Sequence, residues 1–342
     1  MSARTAVDVA AGVLIRADGC VLLASRPAGK PYASYWEFPG GKVENNESIL
    51  DALTRELHEE LSIEVASAHP WLVRVFDYPH ALVRLHFFRV FAWRGEIRAR
   101  EHQDFGFFSP CRLPSGPLLP ATLPVVKWLD LPPIYAVSAV AELGPTLFLQ
   151  RLDAALERGL RWLQFREPLL HKDELASLFP QVLARVRAAG ATLLVNSRHP
   201  RALWERADGV HLTAEDMART NSRPEVPWVA ASAHSSVEIE RAASLGVDCV
   251  VVGPVQKTTT HPDRVPLGWI AFSETIAASP VPVYALGGLR LSDLTKAINC
   301  GAHGIAMMTG LWGNDHCFPM AGGRLDSLSL LSEWVSSEAV IE

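Results

Sequence analysis

Short apolar runs alternate regularly with helical patterns from about Ile134 to the end of the chain. Amphipathic patterns such as Asp173–Ala188 and Val237–Leu245 separate runs of four or five residues. Such runs are typical of parallel strands that are buried on both faces. The runs are Ile134–Ser138, Trp162–Phe165, Thr192–Val195, Gly209–Leu212, Trp228–Ser232, Cys249–Val252, Val283–Leu286 and Gly304–Met307. Eight regular units predict a closed (β/α)8 TIM barrel, and an open doubly wound sheet is the alternative.

The first third of the chain has a different pattern. One strong amphipathic helix is predicted at Ser48–Leu61. Strands are predicted by alternation or by short apolar runs at Ala6–Ile15, Val21–Ser25, Trp71–Asp77, Val83–Trp93 and Gly106–Ser109. Six prolines then occur from Pro114 to Pro133. Proline removes a backbone donor and restricts its neighbour, so this stretch is interpreted as a boundary with at most one short helix. We predict domains at residues 1–130 and 131–342.

Composition limits the class of protein. A chain of 342 residues suits two domains, and 49% hydrophobic with 20% charged residues is a globular composition. The longest apolar stretches, such as Val281–Leu286, are too short to cross a bilayer, and no signal peptide or metal-spaced cysteine pair is found. The net charge of −5 argues against a nucleic-acid polymer as partner but not against a free nucleotide. We expect a cytoplasmic protein without a membrane partner.

Three glutamates lie on one face of the predicted helix. Glu56, Glu59 and Glu60 have the spacing i, i+3, i+4, at which like charges repel each other. A multivalent cation would offset this repulsion, and Mg²⁺ prefers such oxygen ligands. The alternative is a solvated acidic face. A neighbouring stripe, formed by Leu50, Leu53, Leu57 and Leu61, is predicted to pack against a core.

The residues around this helix carry a family resemblance. The pattern Gly41-x5-Glu47-x7-Arg55-Glu56-Leu57-x-Glu59-Glu60-x-Ser62-Ile63 resembles the Nudix box, with Ser62 in place of the usual glycine. A residue at that position can require a positive φ, which strains a serine. Glu47 and Arg55 are expected to pair and to hold the loop. The segment Trp36–Lys42 resembles the loop before the box in the MutT-like branch, and the likeness covers about residues 6–130.

The resemblance implies a fold, a metal site and an activity. The fold would be an α/β/α sandwich with a mixed sheet, and Mg²⁺, with Mn²⁺ as a substitute, would be the cofactor. The implied metal ligands are Gly41 (through its carbonyl), Glu56, Glu59, Glu60 and Glu101, and Arg55 joins these glutamates among the implied catalytic residues. Glu101 is a further metal-binding glutamate or a base.

Three further positions concern the nucleotide. By the same resemblance Arg26 and Phe38 hold the base, and Thr122 stands where related proteins have an asparagine that reads oxidised guanine. The implied reaction is hydrolysis of 8-oxo-dGTP or a related damaged dNTP to the monophosphate and diphosphate. A diphosphate of the thiamin pathway is the alternative substrate.

Polar residues follow nearly every predicted barrel strand, where barrel active sites lie. Residues 134–315 resemble the thiamin phosphate synthase/TenI superfamily through positions that include Arg166, Asn196, Arg198, His234, Gly287 and Gly288. The synthase pattern is broken at Ser197, Pro168 and His261, where a carboxylate and two lysines would handle a diphosphate. The segments Asn196-x-Arg198 and Ser232-x-His234-Ser235 are more similar to TenI, the thiazole tautomerase.

That likeness implies roles for the barrel residues. His234 would move a proton, and the Gly287-Gly288 turn would bind one phosphate of a thiazole phosphate. The alternatives are that His234 bonds a loop carbonyl and that the barrel is a non-catalytic binding module. His211 and His303 are predicted to be packed, and Glu215-Asp216 to be helix N-terminal charges. An oligomer could form through the barrel.

Overall fold

The computed structural model describes residues 4–100, 104–258 and 263–312. They divide into two compact units, and the break lies between Leu131 and Pro132. Within these ranges no helix combines the length and the apolar character that a bilayer span requires.

The N-terminal unit is an α/β fold built on mixed strand pairing. Its elements are β1 (Val7–Leu14), β2 (Val21–Ser25), β3 (Trp36–Glu37), β4 (Gly40–Lys42), α1 (Ile49–Leu61), β5 (Glu64–Asp77), β6 (Leu82–Arg94), β7 (Phe105–Phe108) and α2 (Thr122–Leu129). One sheet has the order β4-β1-β6-β5 and a second has the order β3-β2-β7. The β1–β6 pair is parallel, whereas β4 and β5 pair antiparallel with their neighbours, so the predicted mixed sheet is confirmed.

Helix α1 packs one face on this sheet. Ser48 caps it, since its hydroxyl accepts from the backbone N–H of Asp51 and the Asp51 carboxylate accepts from the N–H of Ser48. Leu53, Leu57 and Leu61 are fully buried in a core with strands β1 and β6. The prediction for Leu50 was wrong: its side chain remains 45% exposed, because Ile49 and Ala52 form the buried face of the first turn.

The sequence placed the start of one long strand too late. Strand β5 begins at Glu64 rather than Trp71. Register shifts between Val65 and Ser67, between Ser67 and Ala68, and between Pro70 and Leu72 interrupt its pairing with β6. A bulge adds a residue to one strand, which breaks the alternation that identifies a strand in sequence.

The C-terminal unit is a closed parallel barrel. Its strands are β8 (Ile134–Val137), β9 (Trp162–Phe165), β10 (Thr192–Asn196), β11 (Gly209–Leu212), β12 (Trp228–Ala233), β13 (Cys249–Val252), β14 (Val283–Leu286) and β15 (Gly304–Met307). The closing pair is β15–β8, so the barrel is confirmed and the open sheet is excluded. Its helices are α3 (Val140–Leu143), α4 (Pro145–Glu157), α5 (Lys172–Ala188), α6 (Arg201–Trp204), α7 (Ala214–Arg219), α8 (Ser236–Leu245), α9 (Gly268–Ile276) and α10 (Leu294–Asn299).

Candidate active sites

The acidic face of α1 meets a pair of glycines in the N-terminal unit. Strand β4 pairs with β1, which places Gly40 and Gly41 beside the helix. The Gly40 N–H donates to Glu60 Oε2 at 3.1 Å. The Glu56 carboxylate lies so close to Gly41 that a Cβ at Gly41 would overlap it. Only glycine at position 41 leaves room for this carboxylate against the backbone.

Arg55 connects the loop after β4 to the helix. Its Nη2 donates to Glu47 Oε1 at 2.7 Å and to the Lys42 carbonyl at 3.0 Å. Its Nη1 donates to Glu56 Oε1 at 2.9 Å and reaches Glu59 Oε2 at 3.4 Å. The predicted Glu47–Arg55 pair is thus confirmed, and the hydrogen bonds from Arg55 lower the pKa of Glu47. The guanidinium orients two of the three helix glutamates.

The donor set fits a hard divalent cation. Glu56 and Glu60 bring carboxylate oxygens to the two glycines, and such oxygens are what Mg²⁺ or Mn²⁺ takes as ligands. Glu59 is 59% exposed and can turn toward the same place. Glu101 lies outside the described residues. Among those that are described, no group of three or more histidine, cysteine or acidic side chains already converges as metal ligands do.

Ser62 ends helix α1 in the left-handed conformation. Its φ is +63°, so the predicted positive φ at this position is confirmed. The Ser62 N–H donates to the His58 carbonyl at 3.0 Å, and its hydroxyl accepts from Arg100 Nε at 2.5 Å. The serine is therefore tolerated because hydrogen bonds hold the turn.

The three positions assigned to the nucleotide base lie in different surroundings. Arg26 Nη1 donates to both carboxylate oxygens of Glu37 at 2.6 and 2.7 Å. The Phe38 ring is buried and packs edge-on against Phe87, with centroids 6.1 Å apart. Thr122 is buried in the first turn of α2. Their contact with a base stays a prediction.

A buried polar chain crosses the interior of the barrel. His211 Nδ1 and Nε2 lie 2.9 Å from the hydroxyls of Tyr135 and Ser232. Gln164 Nε2 donates to Tyr135 at 3.4 Å and its Oε1 accepts from Asn196 at 3.0 Å. Burial, aided by the charge of nearby Arg166, lowers the pKa of His211 to about 3. His211 is therefore neutral, and its prediction as a packed, hydrogen-bonded histidine is confirmed.

His303 is likewise packed. Its side chain is fully buried, and its ring lies 5.3 Å from the Tyr284 ring, centroid to centroid. The neighbouring strands thus hold it within the barrel wall rather than at an accessible end.

Ser197 and its neighbours form a closed hydrogen-bonded group. The hydroxyls of Ser197 and Thr213 donate to Asp216 Oδ2 at 2.6 and 2.9 Å. Arg198 pairs with Glu215 and lies 3.7 Å from Asp216. Burial alone would raise the pKa of Asp216, but the hydroxyls and Arg198 lower it. Glu215 and Asp216 occupy the first turn of α7, which confirms them as helix N-terminal charges.

Three of the predicted barrel residues meet around one loop. His234 Nδ1 lies 3.1 Å from the carbonyl of Gly253, at the start of the loop after β13. Gly287 and Gly288 have φ of +108° and +67°, and a Cβ on either would overlap this same loop. The predicted bond of His234 to a loop carbonyl is confirmed. The Gly253 carbonyl can only accept, so Nδ1 donates there and the contact orients the imidazole ring.

Two family models match the chain. Residues 6–129 match the model described as NUDIX domain, and residues 134–311 match the model described as Thiamine monophosphate synthase. CTP pyrophosphohydrolase of Escherichia coli is 39% identical over 121 residues, which are 35% of this chain and 89% of that protein. Thiamine-phosphate synthase of Herpetosiphon aurantiacus is 32% identical over 180 residues, which are 52% of this chain and 87% of that protein. The chain belongs to both families.

A solved structure is also similar to the Nudix domain. It is that of the E. coli ORF135 protein, which is 37% identical; the match covers 37% of this chain and 90% of that chain, with a TM-score of 0.33.

The sequence analysis assigned no role to one residue of the barrel. Glu167 is buried and accepts from the N–H groups of Val140 and Ala141 at 2.9 and 3.3 Å. Its own N–H donates to His199 Nε2 at 3.0 Å. Burial raises the pKa of Glu167, opposed by these donors. An acidic residue two positions after a strand and directly before Pro168 was the signal that could have identified it.

Glu167 therefore has a positioning function. It joins the end of β9 to the start of α3, and so it fixes the backbone of the adjacent Arg166, whose N–H donates to Ser138 Oγ at 2.9 Å. Arg166 itself is exposed at the strand end. Pro168 follows as an exposed residue, and His261 lies outside the described residues.

Proposed function

We propose that the Nudix domain hydrolyses a nucleoside triphosphate to the monophosphate and diphosphate with Mg²⁺, which Mn²⁺ can replace. The observation that carries this proposal is the placement of Glu56 and Glu60 against Gly41 and Gly40. Glu56 and Glu60 would hold a divalent cation at this like-charged face, and the cation would offset negative charge there.

The residues around the acidic face have separate roles in the proposed reaction. Arg55 holds Glu56 and Glu47, so the loop and the helix keep one geometry during turnover. When bound, the divalent ion supplies positive charge for the developing charge on the phosphate oxygens. Glu59 and Glu101 complete the proposed ligand set, and one of the glutamates accepts the proton of the attacking water.

We propose 8-oxo-dGTP or a related damaged dNTP as the substrate. Arg26 and Phe38 support this by their likeness to base-holding positions, whereas Thr122, which replaces an asparagine, favours a diphosphate of the thiamin pathway. CTP is the second candidate, because a 39% identical relative is named for it. Thiamin diphosphate represents the alternative that both domains serve one pathway.

A substrate panel tests these candidates. Specificity constants of the full chain are measured with 8-oxo-dGTP, dGTP, CTP and thiamin diphosphate, first with Mg²⁺ and then with Mn²⁺. A clear preference for 8-oxo-dGTP over dGTP is expected. Equal constants for these two would refute the damaged-purine assignment, and a higher constant for CTP or thiamin diphosphate would identify that alternative.

We propose that the barrel binds a thiazole monophosphate and moves a proton on it through His234. Support comes from the contact of His234 Nδ1 with the Gly253 carbonyl, which orients the ring, and from the glycine pair packed on the same loop. Arg166, Asn196 and Arg198 lie at neighbouring strand ends. Coupling to a pyrimidine diphosphate is not expected, because Ser197 replaces a carboxylate and donates to Asp216.

Calorimetry with the thiazole phosphate and an isomerisation assay test the barrel. His234→Asn should abolish proton transfer but change affinity less than about 3-fold, since the side chain is proposed to move a proton rather than hold phosphate. Robust synthesis of thiamin phosphate by the wild type would show that the replaced residues are dispensable. Binding without isomerisation would favour the non-catalytic module.

A further inference from the structure

Aromatic side chains cluster at one place on the Nudix domain. They come from the loop between β2 and β3 and from the turn between β5 and β6. Ring centroids of Tyr32 lie 5.2 Å from Tyr35, 5.5 Å from Tyr78 and 6.0 Å from His80. Tyr78 is buried, whereas Tyr32 is half-buried and His80 is exposed. Tyr35 is half-buried as well, so all the rings of the cluster except Tyr78 present surface to a ligand.

The backbone of Tyr32 adopts an unfavourable conformation in this cluster. Tyr32 and Ser34 have φ of +60° and +68°, a region that aromatic and most other side chains avoid. Arg26 closes the loop by backbone hydrogen bonds with Ser34 and Tyr35 at 2.9 and 2.8 Å, and its Nε donates to the Pro31 carbonyl at 2.8 Å. Backbone held in an unfavourable region is common at ligand sites.

A charged pair adjoins the cluster. The Glu37 carboxylate receives Arg26 Nη1 and retains 27% exposure of its side chain. A carboxylate has about four acceptor positions, so it can accept further hydrogen bonds. Because Arg26 also bonds to the backbone of the loop that carries Tyr32 and Tyr35, it ties the Glu37 carboxylate to the loop side of the aromatic cluster.

Glu37 also lies within reach of the proposed phosphate site. Glu37 precedes Gly40 by three residues, and three residues span at most about 11 Å. Gly40 contacts Glu60 of the acidic face. A small molecule with an aromatic ring and a diphosphate can bridge such a distance.

We propose that Tyr32 and His80 form a stacking surface for the heteroaromatic ring of the diphosphate substrate, and that Glu37 accepts a hydrogen bond from an amino group on that ring. This inference rests on the proposed hydrolase function. The Tyr32 and His80 rings are only 6.0 Å apart and tilted by 51°, so the substrate ring stacks on their outer surface rather than between them.

The polar partner selects the class of ring. Cytosine, aminopyrimidines and guanine-type bases carry an amino group that can donate to Glu37. Uracil and thymine have a carbonyl oxygen where cytosine has its amino group. That oxygen would face the Glu37 carboxylate, and neither of these two acceptors would then receive a hydrogen bond from the other. The site should therefore favour amino-bearing rings.

Binding of products by the full chain provides the test without catalysis. Calorimetry measures the affinity of the wild type, Tyr32→Asn and Tyr32→Phe for CMP, UMP and ribose 5-phosphate. Asparagine tolerates positive φ, so Tyr32→Asn removes the ring without added backbone strain. We expect Tyr32→Asn to weaken CMP binding about 10-fold, Tyr32→Phe to change it less than 2-fold, and ribose 5-phosphate to be unaffected by either.

A second ring and a control complete the design. His80→Asn should weaken CMP binding about 5-fold, while Val75→Ala, at a 57% exposed side chain of β5, should have no effect. In hydrolysis, the ring variants should raise KM for CTP.

Each contrary result is specific. Unchanged CMP binding in Tyr32→Asn and His80→Asn overturns the stacking surface, and equal wild-type affinity for CMP and UMP overturns the role of Glu37. Equal loss for ribose 5-phosphate shows a structural effect and also overturns the proposal. Ring-dependent CMP binding without hydrolysis of any diphosphate would instead refute the proposed hydrolase while the stacking surface stands.

Discussion

The buried His211 should make the barrel sensitive to acid. Its ring is 2% exposed, and burial lowers its pKa to about 3. An unfolded histidine has a pKa of about 6.5, so the unfolded chain takes up a proton first as the pH falls. The stability that the neutral ring contributes is complete above pH 6.5 and is lost progressively toward pH 3.

The size of this effect follows from the two pKa values. Each pH unit well below 6.5 costs about 1.4 kcal/mol of unfolding free energy. Between pH 7 and pH 5, the loss attributable to His211 is about 2 kcal/mol. A variant that cannot be protonated, His211→Asn, should be less stable at pH 7 because it loses the bonds to Tyr135 and Ser232, but it should lack this part of the pH dependence.

Hydrogen exchange resolved by peptide provides the assay, because it reports on the barrel separately from the Nudix domain. The opening free energy of peptides that cover β11 and β12 is measured from pH 7 to pH 5 in wild type and His211→Asn. The wild type should lose about 2 kcal/mol more than the variant over this interval. Parallel losses in both proteins would refute the conclusion that His211 is held neutral.

The remaining predictions concern the acidic face of α1 and the positioning carboxylate of the barrel. Gly41→Ala should leave the fold intact, because the flexible Glu56 can move from the new Cβ, but should weaken Mn²⁺ binding about 10- to 100-fold in a paramagnetic titration. Glu60→Gln should lower kcat by about 100-fold or more. The control Glu64→Gln, at an exposed residue that begins β5, should retain wild-type turnover. Equal rates in both variants would contradict the assignment of Glu60 to the site. Glu167→Gln should lower the free energy of unfolding, measured in urea, by about 1 to 3 kcal/mol. The amide nitrogen of glutamine cannot accept a hydrogen bond, so it cannot replace the carboxylate oxygen that now accepts from a backbone N–H group. An unchanged midpoint of urea unfolding would contradict this prediction.

Local pattern was sufficient for the elements that carry most of the fold. Each barrel strand is a short, largely buried apolar run, so its composition alone identifies it. Eight such runs that alternate with helical patterns are typical of a closed barrel, which is the arrangement observed. The motif around α1 was equally visible, because Gly41, Arg55 and the helix glutamates are spaced by the geometry of one loop and one helix.

Pattern failed where the backbone departs from a regular period. The bulges before Leu72 hid the first half of β5, because an extra residue reverses the side-chain alternation. Leu50 continued the apolar stripe of α1, yet Ile49 and Ala52 form the buried face of the first turn. Periodicity describes one element, and it contains no information about which side of each turn the neighbouring element covers.

The chemistry of several side chains was decided only by tertiary structure. Asp216 is held by Ser197 from the preceding strand end, and Glu167 binds the start of a helix 26 residues earlier in the chain. Tyr32 meets His80 across two separate loops. In each case the partners are distant in sequence, and the free energy of a buried charge or a strained backbone depends on what the fold places within a few ångströms of it. The sequence by itself therefore determined which families and which reactive groups are present, and the tertiary structure decided which of those groups are exposed, paired or held neutral.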